Sequence, residues 1–286
     1  MTLLARATSY GRMIKLSHSV FAFPFALSSA ALAARSGFRW SQVFWILVAM
    51  VGARSAAMGF NRLADQTIDA ENPRTAGREL PRGVLSRAEV WGFVLLSAAV
   101  LVGAAAMLNP LCLSLSPLAL LIVFGYSYTK RFTAVSHLVL GLALSMAPLG
   151  AWLAVRGALA PSPLILAGAV LFWVAGFDTI YSCQDADFDR ASGLHSLPAR
   201  LGVARALTLA RVFHLAAVAL LAALFLVESL HVVYLPGVLA VALLLVYEHS
   251  LVKADDLSRV NAAFFTVNGW ISLGYLAVTL AALALA

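Results

Sequence analysis

Charged residues are scarce in this sequence, and that scarcity limits what the chain can be. Only 12% of the 286 residues are Asp, Glu, Lys or Arg, whereas 62% are hydrophobic and the mean hydropathy is +0.91. No polar stretch is long enough to form a separate soluble domain, and nothing in the composition suggests a nucleic-acid partner. The composition is that of an integral membrane protein, and we predict a single domain over residues 1–286.

Cysteine is scarcer still. Cys112 and Cys183 lie in or near apolar segments, and their spacing matches no metal or redox motif, so we expect small core residues without a disulfide. The first apolar run also lacks a convincing small-residue cleavage site, so no secretory signal is predicted.

Long apolar runs are what the sequence has in abundance. A membrane-spanning helix needs roughly 20 mostly apolar residues to cross about 30 Å of hydrocarbon. The chain offers such windows at 14–34, 41–61, 90–108, 111–127, 134–155, 162–184, 207–227, 231–249 and 262–285. We therefore predict an all-α protein with nine transmembrane helices, the third and fourth joined by a tight turn at Asn109 and Pro110.

The basic residues predict an orientation, because Lys and Arg accumulate on the cytoplasmic side of short loops. With nine alternating spans, all but Arg35, Arg39 and Arg156 of the 20 Lys and Arg residues lie at or near one side. We therefore predict a bacterial-type inner membrane protein with a cytoplasmic N-terminus and an external C-terminus. All but Glu228 of the 13 acids share the cytoplasmic side. The topology rule does not require those acids, so they need a separate explanation.

Two predicted helices end in acidic stripes, because residues four and seven apart lie on nearly the same helix face. The stripe at the end of the second predicted helix consists of Arg54, Asn61, Asp65 and Asp69. The stripe at the end of the sixth consists of Asp178, Tyr181, Asp185 and Asp189. The following stretches, NPRTAGRELPRG and RASGLHSLPARLG, each contain a Gly, a Leu-Pro and a second Gly, which hints at an internal duplication.

Two of these charges lie well inside apolar runs. Arg54 and Asp178 are about two turns from the helix ends, where a charge costs on the order of 2.5 to 3.5 kcal/mol. We therefore expect both to face a polar cavity. Other charges, such as Arg87, Glu89 and Asp187, are interpreted as headgroup-level residues.

The residue types in the stripes indicate a metal and a phosphate ligand. Carboxylates at i and i+4, with an amide oxygen one turn away, suit Mg²⁺, which binds few carboxylates together with waters and phosphate oxygens. Arginines would repel a bare metal but bind the phosphates that it carries. The string GYSYTKR adds Tyr126 and Lys130, four residues apart. We interpret the set as a magnesium and diphosphate site.

These residues resemble the UbiA superfamily of membrane aromatic prenyltransferases, which carry an NxxxDxxxD motif and a second DxxxD motif. Here the motifs run from Asn61 to Asp69 and from Asp185 to Asp189. The resemblance extends to the strings IKLSHSVFAFPFAL, YTKR and SHLVLGLALSMAPLGAW. It therefore spans most of the chain.

The resemblance implies nine helices around a central cavity, with cytoplasmic cap loops at about 62–89 and 185–206. Two Mg²⁺ ions would be held by Asn61, Asp65, Asp69, Asp185 and Asp189. The diphosphate of a polyprenyl donor would be bound by Arg54, Arg74, Arg78, Tyr126 and Lys130, with Tyr181 also at the substrate. Lys15 lies where the family often has an arginine near the acceptor. Arg62, Glu79 and Arg82 are assigned to topology and cap packing.

The implied reaction is prenyl transfer to an electron-rich aromatic ring. Asp65 and Asp185 are candidate catalytic residues through the metal, and Asp178 is the candidate for orienting or deprotonating the phenol. The strings are most similar to the quinone branch, whose acceptors are 4-hydroxybenzoate for ubiquinone and 1,4-dihydroxy-6-naphthoate for menaquinone. The histidines are expected at helix ends or in the core, except His195, which lies in the second cap loop where substrate could contact it.

Three alternatives remain at this stage. A secondary transporter would keep acids in broken helices at midplane depth rather than beside phosphate-type arginines at one mouth. A CDP-alcohol phosphotransferase would need an Asp-Gly-x2-Ala-Arg opening that is missing before GARSAAMGF. Within the superfamily, haem, chlorophyll or glycerol-phosphate acceptors are also open.

Overall fold

The computed structural model describes residues 3–14, 21–35, 37 and 39–286, and in these ranges the protein is helical. The α-helices are α1 (Leu3–Met13), α2 (Ala22–Ala33), α3 (Trp40–Ala64), α4 (Gln66–Glu71), α5 (Arg87–Leu108), α6 (Pro110–Thr129), α7 (Ser136–Arg156), α8 (Pro161–Ser182), α9 (Ala186–Ala191), α10 (Leu197–Leu201), α11 (Val203–Glu228), α12 (Tyr234–Ser250) and α13 (Asn268–Ala284). A 3₁₀ turn over Cys183–Asp185 follows α8, and a π-helix over Ala262–Val267 precedes α13.

The predicted all-α membrane fold is confirmed. Seven helical segments in the described ranges are long and apolar enough to cross a membrane, and Ala22–Ala33 and Tyr234–Ser250 are shorter apolar helices. Together they correspond to the nine predicted windows, although the first window, 14–34, is only partly described. The helix α1 was not predicted, because its 11 residues are too few and too polar to register as a span.

Helix boundaries follow local chemistry. Ser86 and Glu89 form a reciprocal capping box at the start of α5. The predicted turn between α5 and α6 is confirmed, since the Asn109 side-chain oxygen accepts the Cys112 N–H at 2.8 Å and Pro110 is the first residue of α6. Gly157 ends α7 in the left-handed conformation, with φ at 66°.

The described residues form two compact units. The first contains α1, α4, α5, α6 and α3 from Phe44 onward. Its core includes Met13, Leu63, Leu80 and Val90. Helices α3 and α5 approach closely at Gly52, where an added Cβ would lie 2.8 Å from the Leu101 nitrogen. Such small-residue contacts let membrane helices pack backbone to backbone.

The second unit contains α2, α7 to α13 and the π-helix. Aromatic side chains fill much of its core: Phe25 stacks on Tyr275 with ring centroids 4.8 Å apart and lies 4.9 Å from Trp173. Helices α7 and α8 meet at Gly141, where a Cβ would overlap the Leu171 carbonyl.

The two acidic helix ends have the same local backbone structure. Helix α3 stops before Asp65, which has φ −96° and ψ 7° and precedes the six-residue helix α4. Helix α8 and its 3₁₀ turn lead to Asp185, which has φ −101° and ψ 4° and precedes the six-residue helix α9. Each short helix carries the second motif carboxylate, Asp69 or Asp189, in its first turn. The duplication hinted at by the cap sequences is therefore matched in local structure.

Candidate active site

The first acidic helix end buries two carboxylates one turn apart. Asp65 is 3% exposed and Asp69 is 4% exposed. The Asp69 N–H donates to the Asp65 carbonyl at 2.7 Å, so the one-turn spacing persists across the break between α3 and α4. Carboxylates buried this deeply require nearby positive charge or hydrogen-bond donors.

Asn61 supplies one such donor. Its Nδ2 donates to Asp65 Oδ2 at 3.0 Å and to Ser127 Oγ on α6 at 3.5 Å. Its Oδ1 accepts from Arg62 Nη1 at 3.4 Å. The amide is therefore oriented by contacts on both of its ends, beside the first motif carboxylate.

Arg62 makes contacts beside the motif that the sequence did not indicate. It was assigned to topology and cap packing, but it is 4% exposed and its Nε donates to the Met13 carbonyl at 3.3 Å. It thereby ties Asn61 to the end of α1. The available signal was its position next to Asn61 in the last turn of α3.

The first cap loop folds back on the helix end through Arg78. Arg78 Nη1 lies 2.6 Å from Asp69 Oδ2, an ion pair with both side chains mostly buried. Thr75 Oγ1 donates to the Asp69 carbonyl at 3.0 Å. Arg74 is exposed, and its backbone N–H donates to Asn72 Oδ1 at 2.9 Å. Arg54 on α3 and Tyr126 on α6 are each partly buried.

The second acidic helix end is less deeply buried, with Asp185 and Asp189 both partly accessible. Ser196, whose Oγ accepts the Ala199 N–H at 3.3 Å, lies near the Asp189 carboxylate, and Lys130 lies close enough to interact with that carboxylate electrostatically. The Lys130 carbonyl accepts the His195 N–H at 2.7 Å. The second cap loop is thus attached both to the motif and to the segment that follows α6.

Asp178 has a partner that the sequence did not indicate. Within residues 173–180 it is the one residue that is not buried. Its Oδ2 lies 2.7 Å from His137 Nδ1, and His137 Nε2 accepts the Leu197 N–H at 3.3 Å. His137 was expected to be a helix-end or core residue. Tyr181, one turn after Asp178, packs on Phe264 with ring centroids 4.1 Å apart.

The oxygen ligands at the two helix ends are suited to a metal ion that binds together with a phosphate-containing substrate. Among the residues that the structure describes, no three His, Cys, Asp or Glu side chains converge to hold a metal ion. Each helix end instead offers two carboxylates, with the Asn61 amide beside the first pair. Mg²⁺ commonly binds one or two carboxylates and completes its shell with waters and phosphate oxygens, so the carboxylates fit it. The Asn61 amide directs its N–H at Asp65 and its oxygen at Arg62. Lys15 lies outside the described residues.

Comparison with known proteins places these features in a group of relatives. A family model described as the UbiA prenyltransferase family matches residues 22–285. The 4-hydroxybenzoate octaprenyltransferase of Aliivibrio fischeri is 30% identical over 84% of this chain and 84% of its own length. The mitochondrial 4-hydroxybenzoate polyprenyltransferase of Arabidopsis thaliana is 37% identical over 52% of this chain and 37% of its own. This chain spans about half or less of the length of the first relatives that it matches.

Solved structures share the fold. The apo structure of a UbiA homologue from Aeropyrum pernix K1 matches with a TM-score of 0.81 and 34% sequence identity. The match covers 94% of this chain and 97% of the homologue. A UbiA homologue from Archaeoglobus fulgidus, solved bound to GPP and Mg²⁺, has a TM-score of 0.76 and 21% identity, and covers 96% of this chain and 99% of its own.

Proposed function

This chain belongs to the UbiA prenyltransferase family, and we propose that it transfers a polyprenyl group from a polyprenyl diphosphate to the ring of an aromatic acid. The observation that carries the proposal is the buried pair Asp65 and Asp69, with Asn61 donating to one carboxylate and Arg78 paired to the other. That set of oxygens and cations is suited to a metal-bound diphosphate. The similar backbone at Asp185 and Asp189 supports a second set of the same kind.

The acceptor is an aromatic acid of quinone biosynthesis. The relatives quoted above are named for 4-hydroxybenzoate, which favours that acid, and 1,4-dihydroxy-6-naphthoate is the other candidate. The donor is a polyprenyl diphosphate, in keeping with the GPP bound by the Archaeoglobus fulgidus homologue.

Two Mg²⁺ ions form part of the proposal. Their ligands would be Asn61, Asp65, Asp69, Asp185 and Asp189. When bound, the metal neutralises charge on the diphosphate leaving group. Asp65 and Asp69 are almost completely buried, so water screens little of their interaction with a cation, whether that cation is a metal or Arg78.

The cationic side chains act on the diphosphate. We assign binding of its oxygens to Arg54, Arg74, Arg78, Tyr126 and Lys130. Arg78 already pairs with Asp69, one of the assigned metal ligands, which supports its assignment to the diphosphate. Donors arranged in advance stabilise a developing anion without reorganising during the reaction.

Asp178 acts on the acceptor. The bond between C1 of the prenyl group and the diphosphate oxygen breaks, and a ring carbon of the acid bonds to C1. The proton on that ring carbon then passes to the released diphosphate, which restores aromaticity, and a phenolic proton held by Asp178 returns to the oxygen of the product. A carboxylate that holds or accepts the phenolic proton makes the ring more electron-rich, and Asp178 combines a charge with 23% side-chain exposure.

The chain is a multi-pass membrane protein, and its orientation is part of the proposal. We place the N-terminus and the acidic helix ends at the cytoplasmic face of a bacterial-type plasma membrane and the C-terminus outside. The concentration of Lys and Arg in one set of loops supports this assignment.

An acceptor panel tests the proposal. Membranes containing the protein are given geranyl diphosphate, Mg²⁺ and, in separate reactions, each candidate acid, a glycerol phosphate or a porphyrin, and products are identified by mass spectrometry. We expect a prenylated acid with one of the two quinone precursors. A product formed only with a glycerol phosphate or a porphyrin would reassign the acceptor class. Uptake of labelled acid into sealed vesicles without a covalent product would instead favour a transporter.

A further inference from the structure

We infer that His137 is a positioning residue for Asp178 and that it couples Asp178 to the second cap loop. The inference rests on the proposed function for what Asp178 does. The contacts that carry it join α7, α8 and the loop before α10 in one chain of hydrogen bonds.

The protonation of His137 follows from its partners. The Leu197 backbone N–H can only donate, so His137 Nε2, 3.3 Å away, must accept. A neutral imidazole with an accepting Nε2 carries its proton on Nδ1. Nδ1 then donates to Asp178 Oδ2 at 2.7 Å. One tautomer therefore satisfies both contacts at once.

This arrangement orients the Asp178 carboxylate through one of its two oxygens. With Oδ2 held by His137, Asp178 keeps Oδ1 to meet an acceptor hydroxyl. His137 itself has both ring nitrogens engaged and a side chain only 4% exposed, so it is not placed to act on substrate directly. An oriented carboxylate next to a reacting group is worth more than a mobile one, because misplacement by about 1 Å is costly.

Three consecutive residues of the cap loop connect the parts of the second helix end. The His195 N–H binds the Lys130 carbonyl. Ser196 lies near the Asp189 carboxylate. The Leu197 N–H binds His137. A change in the position of this segment is therefore transmitted to Lys130, to Asp189 and, through His137, to Asp178.

A close contact between α7 and α8 lies one turn from His137. His137 lies in the first turn of α7, and Gly141, one turn later, brings the α7 backbone against the Leu171 carbonyl of α8. Asp178 is on that same helix, two turns after Leu171. The helix backbones that carry the imidazole and the carboxylate are therefore in close contact next to the pair.

Two substitutions separate positioning from packing. His137→Phe keeps the ring volume but leaves Asp178 Oδ2 and the Leu197 N–H without this partner. His137→Asn can place an amide N–H near the position of Nδ1 and so retains a donor to Asp178. His231→Phe is the control, because His231 Nδ1 also accepts a backbone N–H, from Val233 at 3.3 Å, in the loop between α11 and α12.

The measurement is kcat and KM for the acceptor and for geranyl diphosphate in purified protein. We expect His137→Phe to lower acceptor kcat/KM by roughly 10- to 100-fold, the range found for residues that orient an active group. We expect the donor KM to stay within about two-fold, His137→Asn to recover most of the loss, and His231→Phe to match the wild type. In an Asp178→Asn background, the further change to His137→Phe should have little effect, because residues that act through one another are not additive.

Two results would overturn the inference. One is equal loss in the donor and acceptor parameters of His137→Phe with no recovery in His137→Asn. The other is a full multiplicative loss in the double variant. Should His137→Phe fail to fold, His137→Asn and its combination with Asp178→Asn supply the same comparison. A wild-type protein that prenylates no acid in the panel would instead reject the proposed function, and the role of His137 with it.

Discussion

At the first helix end, buried carboxylates lie close to buried or half-buried guanidinium groups, which lowers the cost of burying their charges. Asp65, Asp69 and Arg62 are each less than 5% exposed, and Arg78 lies 2.6 Å from Asp69. Two carboxylates and two guanidinium groups nearly balance in charge. The cluster is therefore tolerable in an apolar protein as it stands, and the donor oxygens of Asp65 and Asn61 are already directed by their neighbours.

Arg62 gives the first prediction at this scale. Arg62→Met would keep much of the side-chain volume but leave the Met13 carbonyl and Asn61 Oδ1 without this donor. We expect a loss of about 1 to 3 kcal/mol in the free energy of unfolding, together with a raised donor KM because Asn61 is no longer held. Thermal unfolding in detergent and steady-state kinetics measure the two effects.

The matched control is Arg87→Met in the same unit. Arg87 makes an exposed contact with Gln66 Oε1 at 2.6 Å, and exposed contacts of this kind contribute little. We expect a change of less than about 0.5 kcal/mol there. If Arg62→Met destabilised the protein no more than Arg87→Met does, the contacts of Arg62 with Met13 and Asn61 would not stabilise the first helix end.

Among the helices, α7 and α8 carry the His137–Asp178 pair, and the two helices approach closely at Gly141. Gly141→Ala would place a Cβ against the Leu171 carbonyl, whereas Gly150 on the same helix has nothing within 4 Å of an added Cβ. We expect Gly141→Ala to cost about 1 to 3 kcal/mol of stability and to lower acceptor kcat/KM by moving His137 relative to Asp178.

Gly150→Ala serves as the comparison. Alanine favours helix over glycine by roughly 1 kcal/mol, so this substitution should be neutral or slightly stabilising. If Gly141→Ala proved as harmless as Gly150→Ala in thermal unfolding and in acceptor kinetics, the close approach of α7 and α8 would not position the site.

The helices also show what the sequence can and cannot reveal. The apolar windows were predictable because the length of a span is fixed by bilayer thickness. The i, i+4 spacing correctly anticipated that Asp65 and Asp69 are one turn apart. It did not reveal that the helix breaks at Asp65, because the Asp69 N–H still donates to the Asp65 carbonyl across the break. Sequence periodicity shows which residues share a helix face. It does not show a helix break that keeps the same spacing of one turn.

The residues that were missed have a common reason. Arg62 and His137 matter through contacts with Met13 and Leu197, which are 49 and 60 positions away in sequence. The sequence near Arg62 and His137 does not indicate these partners, because the Met13 carbonyl and the Leu197 N–H are backbone groups of a kind that nearly every residue has. Arg74 and Arg78 looked equivalent in the cap loop, yet Arg78 pairs with Asp69 and Arg74 is exposed, a difference set by how the loop folds.

At the scale of the whole molecule, the charge pattern predicts the orientation in the membrane. Alkaline phosphatase fused after Ala286 should be active in a bacterial host, and the same reporter fused within the loop between α12 and the π-helix should be inactive. Green fluorescent protein at the two positions should give the opposite result. Active phosphatase in that loop would invert the proposed topology and put the acidic helix ends outside.

The most direct test of the central claim is metal-dependent prenyl transfer through Asp65. Purified wild-type protein and Asp65→Ala are given geranyl diphosphate, the accepted aromatic acid and Mg²⁺, with and without EDTA, and both prenylated acid and released diphosphate are quantified. We predict equal amounts of the two products from the wild type, loss of both with EDTA, and at least about a hundred-fold loss in Asp65→Ala. Transfer that persists in EDTA and in Asp65→Ala would contradict a metal-bound diphosphate at this helix end.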